Sequence, residues 1–183
     1  NSISDGNQNN PAVAMSRQSR NFIAVWADDA YNDSGTDTDG TNNQDIRARI
    51  FCETGCNKVS QFTVNSTTNG NQKNPDVAMD INGNSVVVWT NVSDNSVYMR
   101  KFDLKGSAKF KDIKVNTSGK ADMAKVGIAD DGSYVVTWQN GTDIFMRGFD
   151  ANGNQTFAQT KVSKADLQSG GKRNLPVIGM ASD

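Results

Sequence analysis

The chain has 183 residues, of which 21% are charged, and its formal net charge is −1. The length allows one domain with a hydrophobic core, and the balanced charge gives no electrostatic basis for binding nucleic acid or an anionic membrane. No stretch approaches the ~20 consecutive apolar residues of a membrane span. Abundant Asn, Ser, Thr, Gly and Asp, with regularly placed Val, Ile and Trp, predict an all-β chain of short strands joined by turns.

Taken in chain order, the strands fall into a repeated unit. Trp26, Trp89 and Trp138 mark a period of roughly 50 residues, which is typical of propeller blades. Each unit contains four short apolar runs. We predict a single repeat domain over 1–183, with blade 1 at 6–65, blade 2 at 70–116, blade 3 at 120–163 and the start of a fourth repeat at 171–183.

Short turns separate the apolar runs and contain Asp followed three residues later by Gly, as in Asp80–Gly83 and Asp103–Gly106. Glycine supplies the positive φ that a tight hairpin needs, so each unit is predicted to be a four-stranded antiparallel meander. In the first unit Cys52 and Cys56 flank the corresponding turn. Without histidine a zinc site lacks ligands, so we expect a disulfide, with two free thiols as the alternative.

The second run of each unit is apolar on both faces, as in Val86–Trp89, which indicates a sheet covered on both sides. This favours a β-propeller of four-stranded blades over a β-sandwich or a β-solenoid. Three repeats and one extra strand are fewer than the four blades of a small propeller. We therefore expect a homo-oligomer or further repeats of the same chain, and the run at Pro176–Met180 is able to complete a neighbouring sheet.

Repetition separates scaffold residues from candidate sites. Because a single active site is asymmetric, the repeated tryptophans are interpreted as core residues, with exposed sugar-stacking platforms as the alternative. The repeated arginines, which are Arg49, Arg100 and Arg147, are interpreted as structural guanidinium groups that contact carbonyls or aromatic faces. A repeated anion-binding site is the alternative interpretation of these arginines.

An acidic insertion, residues 28–45, lengthens the first unit between its tryptophan and its arginine. Its carboxylates are spaced as hard oxygen ligands of calcium often are, and the predicted metal ligands are Asp33, Asp37, Asp39 and Asp45. The fit to an EF-hand loop is incomplete, so a solvated, turn-rich loop is the alternative. Tyr31 lies among polar residues and is predicted to bind a partner or a glycan.

The unit resembles a repeat found in tandem in large secreted bacterial surface proteins, including haemolysin-type calcium-binding and adhesin-like proteins. In the second copy the matching residues are Gln72, Pro75, Val77, Ala78, Trp89, Arg100, Phe102, Asp103, Gly106, Val115 and Asn116. The resemblance implies propeller-like blades in an extracellular protein. The third copy lacks the Gly-x-Gln-x-x-Pro opening, and the glycine-rich calcium nonapeptide of some such proteins is absent from the sequence.

Catalysis has little support in the sequence pattern. No histidine is present for a Ser-His-Asp or Cys-His arrangement. Carboxylates such as Asp28, Asp29, Asp37 and Asp39 suit a glycosidase, but no apolar segment beside them would raise one pKa. We therefore expect a non-enzymatic structural or adhesive module that is extracellular, secreted or on the cell surface, with a glycan or cell-surface partner. A lectin-like carbohydrate-binding module is the alternative, and a glycosidase fragment comes third.

Overall fold

A computed structural model describes residues 7–29, 44–68 and 70–162, which form twelve β-strands. The strands are β1 (Gln8–Met15), β2 (Phe22–Asp28), β3 (Asp45–Phe51), β4 (Asn57–Thr63), β5 (Gln72–Met79), β6 (Ser85–Asn91), β7 (Ser96–Phe102), β8 (Ile113–Lys114), β9 (Asp122–Ile128), β10 (Tyr134–Asn140), β11 (Asp143–Phe149) and β12 (Gln155–Lys161). These ranges contain no helix long and apolar enough to cross a membrane. The all-β prediction is confirmed.

The strands form three four-stranded sheets in chain order: sheet 1 is β1–β4, sheet 2 is β5–β8 and sheet 3 is β9–β12. Every neighbouring pair is antiparallel, as hairpin connections require. The predicted antiparallel meanders are confirmed, and three successive sheets replace the two facing sheets of the alternative sandwich. The predicted fourth repeat lies outside the described residues.

The hairpin turns follow the predicted chemistry. Gly83 has a φ of 83°, and its amide donates to the Asp80 carbonyl at 3.1 Å. The Asp80 carboxylate accepts the Asn84 amide at 2.8 Å, which closes the turn from its side chain. In sheet 1, Cys52 and Cys56 form a disulfide across the corresponding β3–β4 turn. The predicted disulfide is confirmed.

Two apolar cores lie between successive sheets. Between sheets 1 and 2, the face of sheet 1 that carries Ile23 and Val25 packs against the face of sheet 2 that carries Trp89. Between sheets 2 and 3, the face with Val86 and Val88 packs against the face with Trp138 in the same way. Trp89 and Trp138 are fully buried, which removes about 200 Å² of each side chain from water. The prediction of core tryptophans is confirmed for these two.

Trp26 differs, because it is only half-buried. It occupies the position of Trp89 in sheet 1, but no described sheet packs against that face. Its indole Nε1 donates to Asp28 Oδ2 at 3.2 Å, whereas the Trp89 indole donates to Gln72 Oε1 at 3.1 Å. Burial of the repeated tryptophan therefore depends on the presence of a preceding sheet.

The arginines connect each sheet to the one before it. Arg100 Nη1 donates to the Val64 carbonyl at 2.8 Å, and Arg147 Nη1 donates to the Val115 carbonyl at 2.7 Å. Their guanidinium carbons lie 5.5 and 5.3 Å from the rings of Phe102 and Phe149. The structural interpretation of these two arginines is confirmed, and their geometry is that of a cation stacked on an aromatic face.

One buried cation breaks the repeat between sheets 2 and 3. Lys101 occupies the position held by Ile50 in sheet 1, and its Nζ donates to the Gly132 carbonyl at 3.2 Å and the Ala151 carbonyl at 2.8 Å. Burial lowers the pKa of Lys101, and the charges of Asp80 and Asp150 act in the opposite direction. The ammonium group is retained because two turns of sheet 3 supply oxygen acceptors.

Candidate functional site

The first residues of the inner strands β1, β5 and β9 meet at one end of the three sheets, here called the axial end. Asn10, Asn74 and Met123 occupy matching positions there and have φ values of 51°, 52° and 53°. Asparagine tolerates this left-handed conformation better than most residues. The β1–β2 and β5–β6 pairings shift register at these asparagines, so each strand has a bulge that redirects its side chains.

A chain of amides and one carboxylate connects the three inner strands. Asn10 Nδ2 donates to Asn74 Oδ1 at 3.1 Å, and Asn74 Nδ2 donates to Asp122 Oδ1 at 3.0 Å. Each donor comes from one sheet and each acceptor from the next, so the polar chain follows the order of the sheets. The axial end is therefore organised by side-chain hydrogen bonds as well as by apolar packing.

Asp122 collects the most donors at this end. Besides Asn74, it accepts the Thr90 hydroxyl at 2.9 Å and the Met123 amide at 2.8 Å, and Lys73 Nζ lies 3.9 Å from Oδ2. Burial raises the pKa of this carboxyl, but the three hydrogen bonds and the lysine charge outweigh it and lower the pKa below the usual aspartate value. Asp122 is therefore ionised at neutral pH, and 41% of its side chain remains exposed.

A cavity of about 400 Å³ opens beside Asp122 between sheets 2 and 3. Its polar lining comes from Lys73, Thr90, Asn95, Lys120, Asp122 and Gln139. Val92 and Ala121 add apolar surface. Hydroxyl, amide and ammonium groups around one carboxylate are suited to a neutral, hydroxyl-rich ligand, which both donates and accepts hydrogen bonds.

A smaller cleft of about 240 Å³ lies along the inner strands and shares Met123 with the cavity. Asn10, Asn74 and Lys125 line it together with the two prolines that follow the asparagines. Lys125 Nζ lies 3.2 Å from Asp76 Oδ1, and Asp76 Oδ2 accepts the Val126 amide at 3.0 Å. Asp76 thus fixes β9 against β5 and holds the floor of the axial end in place.

The residues predicted to bind calcium or a ligand fall mainly outside this description. Tyr31, Asp33, Asp37 and Asp39 lie beyond the described residues. Asp45 begins β3, is buried and accepts Asn65 Nδ2 at 2.7 Å. Across residues 7–29, 44–68 and 70–162, no three Asp, Glu or Cys side chains gather in a metal-binding group. Calcium at the acidic insertion stays a prediction.

Asp122, Asn74 and Thr90 were not identified as site residues from the sequence. One feature of the sequence could have indicated this site, because the third copy departs from the repeat there. It lacks the Asn-Pro pair that the first two copies have at Asn10–Pro11 and Asn74–Pro75. Asp122 occupies the position of Asn9 in sheet 1 and Lys73 in sheet 2. A change of charge at one otherwise matching position marks the asymmetry that a single site needs.

Two solved structures share the fold. A glycosyl hydrolase from Bacteroides ovatus superimposes with a TM-score of 0.52 and 12% identity, over 88% of this chain and 50% of that chain. A subtype N11 neuraminidase-like protein of A/flat-faced bat/Peru/033/2010 (H18N11) superimposes with a TM-score of 0.54 and 11% identity, over 88% of this chain and 42% of that chain. No protein-family model and no curated protein matches the sequence. The chain thus has a propeller-type fold and spans half or less of these structures.

These similarities correct the functional prediction. The chain was expected to be a non-enzymatic structural or adhesive module, whereas its structural neighbours include a glycosyl hydrolase, so both parts of that expectation are wrong. The expectation rested on the missing histidines and on carboxylates that are neighbours in the sequence, in the acidic insertion and at Asp130–Asp131. A glycosidase needs only suitably placed carboxylates, and the fold places Asp122 in a cavity that sequence spacing did not reveal. At 11–12% sequence identity, the structural similarity shows the fold alone.

Proposed function

We propose that this chain is part of a glycosidase-type propeller and that a carbohydrate binds in the cavity beside Asp122. The observation that supports this most strongly is an ionised carboxylate held by Asn74, Thr90 and the Met123 amide in the lining of a cavity that also presents lysine, amide and hydroxyl groups. Sugar hydroxyls donate to such a carboxylate and accept from the lysines and amides around it. The glycosyl hydrolase with the same fold adds support for this substrate class.

Asp122 suits the ionised carboxylate of a glycosidase pair. Its lowered pKa keeps it ionised and makes it a poor proton donor at neutral pH, which suits a nucleophile or a stabiliser of positive charge at the anomeric carbon. Its hydrogen bonds to the Thr90 hydroxyl and the Asn74 amide fix the direction of the free lone pairs. These two side chains act as positioning residues for Asp122.

The general acid of the pair is assigned to the acidic insertion, with Asp37 and Asp39 as the candidates. Among the described residues that line the cavity, Asp122 is the one carboxylate. Gln44 lies one residue before the end of the insertion, and its carbonyl accepts the amide of Gln72, which begins β5 at the axial end, at 2.7 Å. This bond anchors the end of the insertion close to the residues that precede Asn74.

Calcium and location complete the proposal. Calcium binding by Asp33, Asp37, Asp39 and Asp45 is the alternative role of these carboxylates, because a carboxylate bound to calcium does not donate a proton, and a melting temperature unchanged by excess chelator would rule it out. The Cys52–Cys56 disulfide supports an oxidising compartment, in keeping with an extracellular location. The resemblance to repeats of secreted bacterial surface proteins points to the same location.

The test is glycan binding and hydrolysis by the wild-type chain and by Asp122→Asn, with Asp131→Asn as the matched control. Asp131 lies in the β9–β10 turn at the opposite end of the sheets. We expect hydrolysis of at least one oligosaccharide of a broad panel, a loss of about 100-fold or more in kcat/KM for Asp122→Asn, and no loss for the control. Similar loss in Asp37→Asn or Asp39→Asn would identify the acid.

Two results would contradict the proposal. One is the absence of both binding and hydrolysis at millimolar glycan. The other is full activity in Asp122→Asn, which would exclude the cavity as the site. Binding that depends on Asp122 without any hydrolysis would retain the carbohydrate site and reject the catalytic role.

A further inference from the structure

In the described part of the chain, no sheet packs against one face of sheet 1, although the matching faces of sheets 2 and 3 are buried. Val13, Val77 and Val126 occupy the same position in β1, β5 and β9, and they are 66%, 7% and 5% exposed. Met15, half-buried Trp26 and half-buried Phe51 lie on the same face, here called open face 1. The residues of this face are those that pack against a preceding sheet in the rest of the chain.

Sheet 3 likewise has one face against which no described sheet packs, and it is the face that in sheets 1 and 2 contacts the following sheet. Val64, Val115 and Val162 follow the fourth strand of each sheet and make the same backbone bond, to Ile46, Val97 and Ile144 respectively. Val64 and Val115 are fully buried, whereas Val162 is 50% exposed. Val135, Ile144 and Met146 are half-buried on this face, here called open face 3, and their counterparts in sheets 1 and 2 are fully buried.

Open face 1 and open face 3 are the two kinds of face that pack against each other at both described interfaces. Sheet 2 covers sheet 1, and sheet 3 covers sheet 2, by the same pairing of a Trp-bearing face with a face of the Val64 type. Open face 1 is the third copy of the first kind, and open face 3 is the third copy of the second kind. A third interface of the same kind would therefore bury Val13 and Trp26 against Val162 and Ile144.

We propose that two copies of this 183-residue chain pack head to tail through these faces and close a six-sheet ring. The contact is heterologous, so it generates either a ring or an open filament. Copies that each contribute the three sheets of residues 7–29, 44–68 and 70–162 give rings of six or nine sheets, and propellers contain about four to eight blades. Six sheets from two copies is the number that fits. This inference does not depend on the proposed function.

Arg49 provides a polar contact that the same interface should contain. It occupies the position of Arg100 and Arg147, whose Nη1 atoms donate to the carbonyls of Val64 and Val115 in the preceding sheet. Arg49 already stacks on Phe51, with 5.2 Å from its guanidinium carbon to the ring centre, as the other two arginines stack on their phenylalanines. In the ring, Arg49 would donate to the Val162 carbonyl of the second copy.

The test is the mass in solution of the full chain and of three variants, measured by light scattering over a range of micromolar concentrations. Wild type should have twice the 19.8 kDa mass of one chain. Val13→Asp and Val162→Asp should each reduce the mass to that of one chain, because each places a charge in both interfaces of the ring. Val92→Asp, at an exposed turn position, is the matched control and should remain dimeric.

Mixing the two monomeric variants distinguishes head-to-tail pairing from other arrangements. A heterodimer of Val13→Asp with Val162→Asp has one interface free of both substitutions, so the mixture should recover mass while each variant alone does not. A monomeric wild type, as expected if residues 163–183 cover open face 1 within one chain, would overturn the proposal. So would a dimer that Val162→Asp leaves intact, because a contact between two copies of open face 1 does not use Val162.

Discussion

Sheets 1 and 2 have nearly the same sequence pattern in different surroundings. Sheet 2 lies between two sheets, and its second strand, β6, is buried along its whole length. Sheet 1 has the same tryptophan, arginine and phenylalanine positions, yet Trp26 and Phe51 are half-buried and Val13 is exposed. The difference shows that the repeat specifies a face to be covered, whereas the neighbouring sheet determines whether that face is buried.

The largest expected effect comes from truncating the two tryptophans. Trp89→Ala removes a fully buried side chain between two sheets and should lower the free energy of unfolding by about 3–5 kcal/mol. Trp26→Ala should cost about 1 kcal/mol, because much of that side chain already contacts water. Both are measured by urea unfolding in the Val162→Asp background, where no second copy covers Trp26. Equal losses would show that Trp26 is packed as Trp89 is.

Arg100 and Arg49 should show the same difference between sheets 2 and 1, with smaller losses in the free energy of unfolding. Arg100→Ala removes charge-assisted bonds to the carbonyls of Val64 and Phe110 and should lower the free energy of unfolding by about 1.5–3 kcal/mol. Arg49→Ala should have little effect in the Val162→Asp background. In the wild-type background Arg49→Ala should instead weaken dimer formation, which dilution in a light-scattering experiment measures. A loss as large as that of Arg100→Ala in the monomeric background would contradict the comparison.

The β3–β4 and β7–β8 turns differ in how they are closed. Replacing both Cys52 and Cys56 with Ser removes a disulfide between cysteines four residues apart. By the loop-entropy relation, this should lower the free energy of unfolding by about 2 kcal/mol. Asp103→Ala, at the position of Cys52 in sheet 2, removes hydrogen bonds to the Lys105 and Ser107 amides and should cost about 1 kcal/mol. Thermal unfolding of both variants, with reduced wild type as a control, measures the difference.

The smallest effect concerns pH. The pKa of Asp122 in the folded chain lies below its ordinary value of 3.8, so its stabilising contribution is present above about pH 4 and is lost as pH falls through the lowered value. Asp122→Asn lacks this contribution, so the stability difference between wild type and variant should shrink on acidification. Because 41% of the side chain is exposed, the change should stay below about 1 kcal/mol. A difference that stays constant between about pH 5 and pH 2 would contradict the assigned pKa direction.

Much of the fold was predictable because it depends on local patterns. Alternating and doubly apolar runs around Trp89 and Trp138 predicted strands covered on both faces, and glycines such as Gly83 predicted the hairpins. The exposure of Val13 was not predictable in the same way. It depends on which sheet lies next to β1, and that is a contact between elements far apart in sequence.

The candidate site was less predictable than the fold. The aspartates of the acidic insertion are close together in the sequence and therefore predict a site, whereas Asn74, Thr90 and Asp122 come from three different strands. Their convergence requires the bulges at the start of the inner strands, which periodicity does not reveal. The inference that catalysis was absent followed from the same gap, since it considered only carboxylates that are neighbours in the chain.

The buried ammonium of Lys101 has a consequence for the contact between sheets 2 and 3. Its acceptors, the carbonyls of Gly132 and Ala151, belong to two turns of the sheet that follows it. The ammonium group therefore ties this contact to the presence of these two turns. If sheet 3 were removed from sheet 2, Lys101 would lose both carbonyls but gain water, so its burial and its hydrogen bonds are lost together. Lys101→Ile, which installs the aliphatic side chain that Ile50 supplies in sheet 1, should remove this polar contribution to the contact.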